Sequence, residues 1–204
     1  MSALVDARNV HTIRRDFTRI ALFLALIWIV FGLDRVLPLE LLGLVPRSLE
    51  GLIGIVAMPF LHGDFAHLMA NSVPLAVTLL LLAGSRGNSG AIVVLIVVLG
   101  GVGLWLLGRG GVRHIGASGL VFGLIAFHIF AGVFERRPQS LVIALVVGLL
   151  YASTLFRGVL PMQPGVSWDG HLFGAIAGIL VALLMARLLK AQTRTQTGGG
   201  ARSP

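Results

Sequence analysis

The sequence predicts an all-α polytopic membrane protein, a bundle of six transmembrane helices. Three observations carry this. The 204 residues are 56% hydrophobic and 12% charged, roughly half the charged share of a soluble domain. Mean hydropathy is +0.95. The apolar residues also gather into six stretches, roughly 17–36, 67–83, 91–107, 116–133, 140–156 and 169–189. Each is near the ~20 residues a helix needs to cross about 30 Å of hydrocarbon.

The first stretch lacks a small-residue cleavage pattern and is trailed by Asp34 and Arg35, so it reads as a retained span. Breakers separate the others. Gly84-Ser85-Arg86-Gly87-Asn88 follows the second, Gly108-Arg109-Gly110-Gly111 the third and Glu135-Arg136-Arg137-Pro138 the fourth. A segment with Pro161 and Pro164 follows the fifth. The long connection 38–66 is rich in leucine and isoleucine yet broken by Pro38, Pro46 and Pro59. It suits an outward structure half sunk in the membrane interface, and its glycines and prolines argue against a seventh span. The expected organisation is a cytoplasmic N-terminal segment 1–16, a six-span unit 17–190 and a disordered cytoplasmic tail 191–204.

Charge fixes an orientation. An even number of spans puts both termini on one side. Arg8, Arg14, Arg15, Arg19, Arg86, Arg136, Arg137, Arg187, Lys190, Arg194 and Arg202 fall there; Arg35, Arg47, Arg109, Arg113 and Arg157 fall opposite. The positive-inside rule makes the richer side cytoplasmic. The net charge of +8 is therefore mostly topology, and nucleic-acid binding is not expected. Cysteine is absent, which excludes disulfides and thiolate metal sites.

Parity then brings particular residues together. The second, fourth and sixth spans run the same way, so their N-terminal ends share a level near the outer face. His67 and Asn71 open the second, Ser118 the fourth and His171 the sixth. Polar groups in such positions are costly in lipid and mark function. A serine needs a base to act as nucleophile, and His171 supplies one. His67 and Asn71, spaced i and i+4 on one helix face, join the Ser118 backbone N–H as donors for an oxyanion. Asp169, two residues before His171, points to another face and is expected to cap the sixth helix. The prediction is a dyad. Gly119 and Gly123, with Gly170, Gly174 and Gly178, recur at the spacing that lets membrane helices approach closely. His62 and His114 read as loop residues near the site. His128 lies about 15 Å along the helix from Ser118 and reads as a packing residue.

These motifs together resemble the rhomboid intramembrane serine proteases. Gly116-Ala117-Ser118-Gly119 is similar to that family's GxSG motif, His67-Leu68-Met69-Ala70-Asn71 to its HxxxN motif, and His171 with Gly174 and Gly178 to its histidine helix. The resemblance covers about residues 20–190. It implies a six-helix rhomboid-like bundle and a Ser118–His171 dyad. It implies an oxyanion hole with His67 and Asn71, and cleavage of transmembrane segments after a small residue. It also implies that Phe122, where tyrosine is frequent, packs on the histidine, with Gly116 and Gly119 in support. Stretch 38–66 would be the first outer loop, with Pro46-Arg47 replacing a frequent Trp-Arg pair. The fifth span and 157–167 would be gate and lid. No cofactor or metal is required; His62, Asp64 and His67 lack the HExxH pattern of a zinc protease. The expected partners are membrane lipid and transmembrane protein substrates. The rival readings are a non-catalytic rhomboid-like binder of membrane clients and a small transporter. The transporter is disfavoured because the chain shows no two repeated halves.

Overall fold

The computed structural model describes residues 2–86, 88–162 and 165–199. Six long helices follow in order: α1 Ser2–Leu33, α2 Phe65–Ser85, α3 Ser89–Leu107, α4 Ser118–Glu135, α5 Pro138–Gly158 and α6 Trp168–Gly199. Each contains a segment long and apolar enough to cross a membrane. Among the described residues there is no sheet beyond one isolated bridge between Leu44 and His114. The all-α, six-span architecture expected from hydropathy is the one observed. Two helices overrun their spans. The spanning part of α1 is Arg15–Leu33 and that of α6 is Trp168–Gln192. The helix through 191–199 stands where a disordered tail is expected. A turn added to an existing helix needs no new nucleus, so polar residues extend it readily. Residues 200–204 of that tail lie outside the described residues.

Helix α4 is the centre of the bundle. In its spanning window 67% of residues are buried, against 11% for α1 and for α5. It packs most extensively on α6 and then on α5, while α3 also lies along α6. Small residues explain the α4–α6 approach. A Cβ on Gly174 would collide with the Gly119 carbonyl, and one on Gly178 with the Gly123 carbonyl. The two backbones are as close as glycine allows, which is how lipid-embedded helices gain packing. By contrast, Leu141, Val142, Leu145, Leu149 and Leu150 of α5 are exposed, as expected of a helix facing lipid acyl chains.

The segment 38–64, expected as the first outer loop, is folded rather than loose. Short helical turns run Leu39–Leu42, Glu50–Ile53, Gly54–Ala57 and Met58–Phe60. Gly51 and Gly54 lie against the backbone of Val45 and Leu44, where any side chain would overlap. Leu44, Met58 and Leu104 form a small core beneath, while Leu49, Ile53 and Val56 remain exposed. Arg47 docks the segment onto α3. Its guanidinium donates to the carbonyls of Gly108 at 2.7 Å and Leu106 at 3.4 Å. Trp105 Nε1 donates back to the Ser48 carbonyl at 2.8 Å. Arg47 therefore ties this segment to the C-terminal end of α3.

Candidate active site

Asp64 starts α2. It is extended, and its carboxylate accepts the backbone N–H of His67 at 2.8 Å, which satisfies a donor that the first helical turn leaves free. This sets His67 in the first turn. Asn71 follows on the same face, buried, with its amide donating to the His67 carbonyl at 2.9 Å. One Asn71 N–H remains available after that bond.

Ser118 is the first residue of α4 and half-buried. The residues before it are held individually. Gly116 has φ +110° and its N–H donates to the Met58 carbonyl at 3.0 Å. The His67 ring occupies the place of a Gly116 side chain, with Nε2 2.6 Å from where a Cβ would be. Glycine is needed there twice over, for the dihedral and for the ring. The Ala117 N–H donates to His62 Nε2 at 3.4 Å. His62 is fully buried, and that burial pushes its pKa down to about 4, so the ring is neutral and able to accept.

His171 sits in the first turn of α6. Its Nδ1 lies 2.9 Å from the carbonyl oxygen of Gly158, the last residue of α5. A carbonyl has no proton to give, so Nδ1 carries the hydrogen and Nε2 keeps its lone pair. The Phe122 ring stacks on the imidazole, centroids 4.0 Å apart and planes 9° from parallel. Ser118, His171, His67 and Asn71 all line one cavity of about 1120 Å³. Tyr151, Thr154, Arg157 and Gly158 of α5 and Gly165, Val166 and Ser167 complete its wall. Positions 163 and 164 of the expected lid lie outside the described residues. Among the described residues no hydrogen bond joins Ser118 Oγ to His171. Such contacts often tighten only when substrate binds.

The expectation that Asp169 caps α6 is corrected. Its buried carboxylate takes the backbone N–H of Arg109 at 2.9 Å and the Arg109 guanidinium at 3.0 Å. A charge so enclosed is stabilised by an opposite charge rather than by its own helix end. His114 is likewise more than a loop residue. It is buried, with Nδ1 2.6 Å from Ser167 Oγ, and burial holds its pKa below the usual histidine value. His128 is buried away from the site, with Nε2 3.0 Å from the Thr78 carbonyl.

Gly158 and His62 are the residues that motif reasoning missed in this role. A glycine ending an apolar span carries no signal of its own. His62 is visible as a histidine five residues before His67, and nothing local says which backbone group it meets.

Fold and site define a class, a polytopic helical membrane protein with a cavity where polar side chains from the ends of three parallel helices meet. The chain belongs to the rhomboid family: the rhomboid domain profile matches residues 50–188, which include His67, Asn71, Ser118 and His171 with their flanking motif glycines. Uncharacterized proteins of Mycobacterium bovis and Mycobacterium tuberculosis are 40% identical over 197 residues, covering 91% of this chain and 81% of theirs. An uncharacterized protein of Mycobacterium leprae is 36% identical over 194 residues, covering 89% and 76%.

Proposed function

We propose that this chain is an intramembrane serine endopeptidase that cleaves transmembrane segments of other membrane proteins. The observation that carries it is the state of His171. Its Nδ1–H is bound to the Gly158 carbonyl, and its free Nε2 belongs to a ring lining the cavity of Ser118. A histidine whose second nitrogen is anchored is the arrangement that general-base catalysis needs. Here a backbone carbonyl does the anchoring and no carboxylate is required.

In this mechanism Ser118 Oγ attacks the scissile carbonyl carbon while His171 Nε2 takes its proton. The tetrahedral oxyanion faces donors from His67, Asn71 and the Ser118 backbone N–H, at the positive end of α4. The C–N bond breaks as His171 returns the proton to the leaving amine. Water, activated by the same histidine, then attacks the acyl-enzyme and frees Ser118. The cavity offers room for the water and the unwound substrate backbone that such chemistry needs within a membrane. Helix α5 and the segment after it act as gate and lid.

The working unit is 17–190, with both termini in the cytoplasm of a bacterial cell and the site toward the outer face. This orientation is supported by the distribution of the sixteen basic residues. Neither cofactor nor metal takes part. The test is labelling with a fluorophosphonate and cleavage of a model membrane substrate. Both are expected in the intact protein and absent in Ser118→Ala and His171→Ala. A folded wild type that neither labels nor cleaves points instead to a rhomboid-like binder of membrane clients.

A further inference from the structure

Asp169 is 2% exposed, at the start of a membrane helix. A carboxylate in that place is expensive, and well-packed apolar residues would often serve stability equally well. Its surroundings give it a different use. Arg109 reaches it from the end of α3 through both backbone and guanidinium, and the guanidinium lies 5.2 Å over the Trp168 ring. His114 is wedged alongside, 1% exposed. Its Nε2 is 3.7 Å from Asp169 Oδ2 and its Nδ1 2.6 Å from Ser167 Oγ. On its other side the His114 backbone exchanges two hydrogen bonds with Leu44, at 2.7 and 3.0 Å.

The register of these contacts is informative. His114 stands four residues before Ser118, and Ser167 four residues before His171. The Ser167 carbonyl accepts the His171 N–H at 3.0 Å, so Ser167 shares a helical turn with the base. The His114–Ser167 bond thus joins the strand of chain leading into the serine to the turn leading into the histidine. On the inner side of the site, Gly119 and Gly174 hold the same two helices together. The pair is clamped from both sides.

We propose that Ser167, Asp169, Arg109 and His114 form a positioning cluster that sets the distance between Ser118 and His171. This rests on the protease reading above. Arg109, His114 and Ser167 also line the cavity, but no step of the proposed mechanism uses any of the four. They act by holding two segments in register. No hydrogen bond joins Ser118 to His171 among the described residues, and the spacing of the two segments decides whether one forms. A displacement of about 1 Å costs on the order of a hundredfold in rate.

The test uses the full chain in proteoliposomes with a model transmembrane substrate, alongside the rate of fluorophosphonate labelling. Ser167→Ala and Asp169→Asn are expected to lower kcat and the labelling rate roughly tenfold, with KM unchanged. Ser167→Thr, which restores the hydroxyl, should return both to within about twofold of wild type. Asp169→Asn keeps an oxygen for the Arg109 N–H, so its unfolding temperature should stay near that of wild type. Wild-type rates in both Ser167→Ala and Asp169→Asn would overturn the inference. So would a loss that follows a lowered unfolding temperature and is not rescued by Ser167→Thr. A wild type that labels normally leaves the protease reading standing in either case, whereas one that never labels removes both.

Discussion

His171 Nδ1 lies 2.9 Å from the Gly158 carbonyl oxygen, so the last residue of the lipid-facing helix α5 orients the imidazole of α6. A side chain at 158 would overlap the Phe122 ring and stand 3.2 Å from His171 Nδ1. Gly158→Ala should therefore push the stacked pair off position and lower kcat by roughly ten- to a hundredfold. Gly148 lies on the same helix with nothing within 4 Å of its would-be Cβ, and Gly148→Ala should leave kcat unchanged. Cleavage kinetics of the two variants side by side check this.

Phe122 supports the base through its ring face. Stacking of this kind contributes about 0.5–1.5 kcal/mol beyond burial. At 1.36 kcal/mol per decade, Phe122→Leu should reduce kcat/KM by roughly two- to tenfold while retaining a buried apolar group. Equal kcat/KM in wild type and variant would show that the ring does not orient His171.

Much of this is legible in the sequence. Hydropathy gives the six spans because a backbone in lipid has few alternatives to helix. Parity and the motifs bring Ser118, His171, His67 and Asn71 to one cavity, because each stands in the first two turns of its helix and so at the same end of the bundle. Less legible is whatever depends on a backbone atom from elsewhere. The Gly158 carbonyl and the Met58 carbonyl have no side-chain signature. Asp169 looked like a cap because its partner Arg109 is sixty residues away in the chain, across a loop whose path no local pattern dictates. The buried pair of Arg86 with Glu135 escaped for the same reason. As sequence, both residues read as ordinary loop charges.

The α4–α6 contact predicts a graded response. Alanine at Gly174 or at Gly178 places a methyl against a carbonyl of α4, and overpacking of this kind costs about 1–3 kcal/mol. Both variants should melt at lower temperature in detergent. Gly174 is three residues from His171 and Gly178 a further turn away. Gly174→Ala should therefore lose more activity than Gly178→Ala for a similar loss of stability, measured as kcat well below either unfolding temperature.

At the far end of the bundle, Arg86 meets Glu135 in two bonds of 2.7 and 3.0 Å, with the Glu135 side chain 2% exposed and Arg86 11%. Ser140 Oγ adds a third bond to that carboxylate at 2.7 Å. Removing one partner leaves a buried charge and should cost about 3–5 kcal/mol in Glu135→Leu, whereas a double change to apolar residues is close to neutral. Arg86→Met with Glu135→Leu should thus recover most of the stability that Glu135→Leu loses. Thermal unfolding of the single and double variants decides it, and a double variant no better than the single would contradict a compensated pair.

Acid should loosen the segment that carries Ser118. His62 accepts the Ala117 N–H through a neutral ring nitrogen, and its pKa is lowered to about 4 chiefly by burial, with the neighbouring His67 adding to the effect. An unfolded histidine takes up its proton near pH 6.5. Between about 6.5 and 4 the unfolded chain binds more protons than the native one, so stability falls as pH falls through that window and is level above it. For a fully buried ring the total is at most about 3 kcal/mol. His114 is shifted in the same direction by burial and adds to the slope. The unfolding temperature of wild type should drop from pH 7 toward pH 4.5. His62→Gln, whose side-chain oxygen reaches the position of Nε2 and can still accept the Ala117 N–H, should show a shallower drop. An identical slope in both proteins would mean that His62 is not the group that titrates.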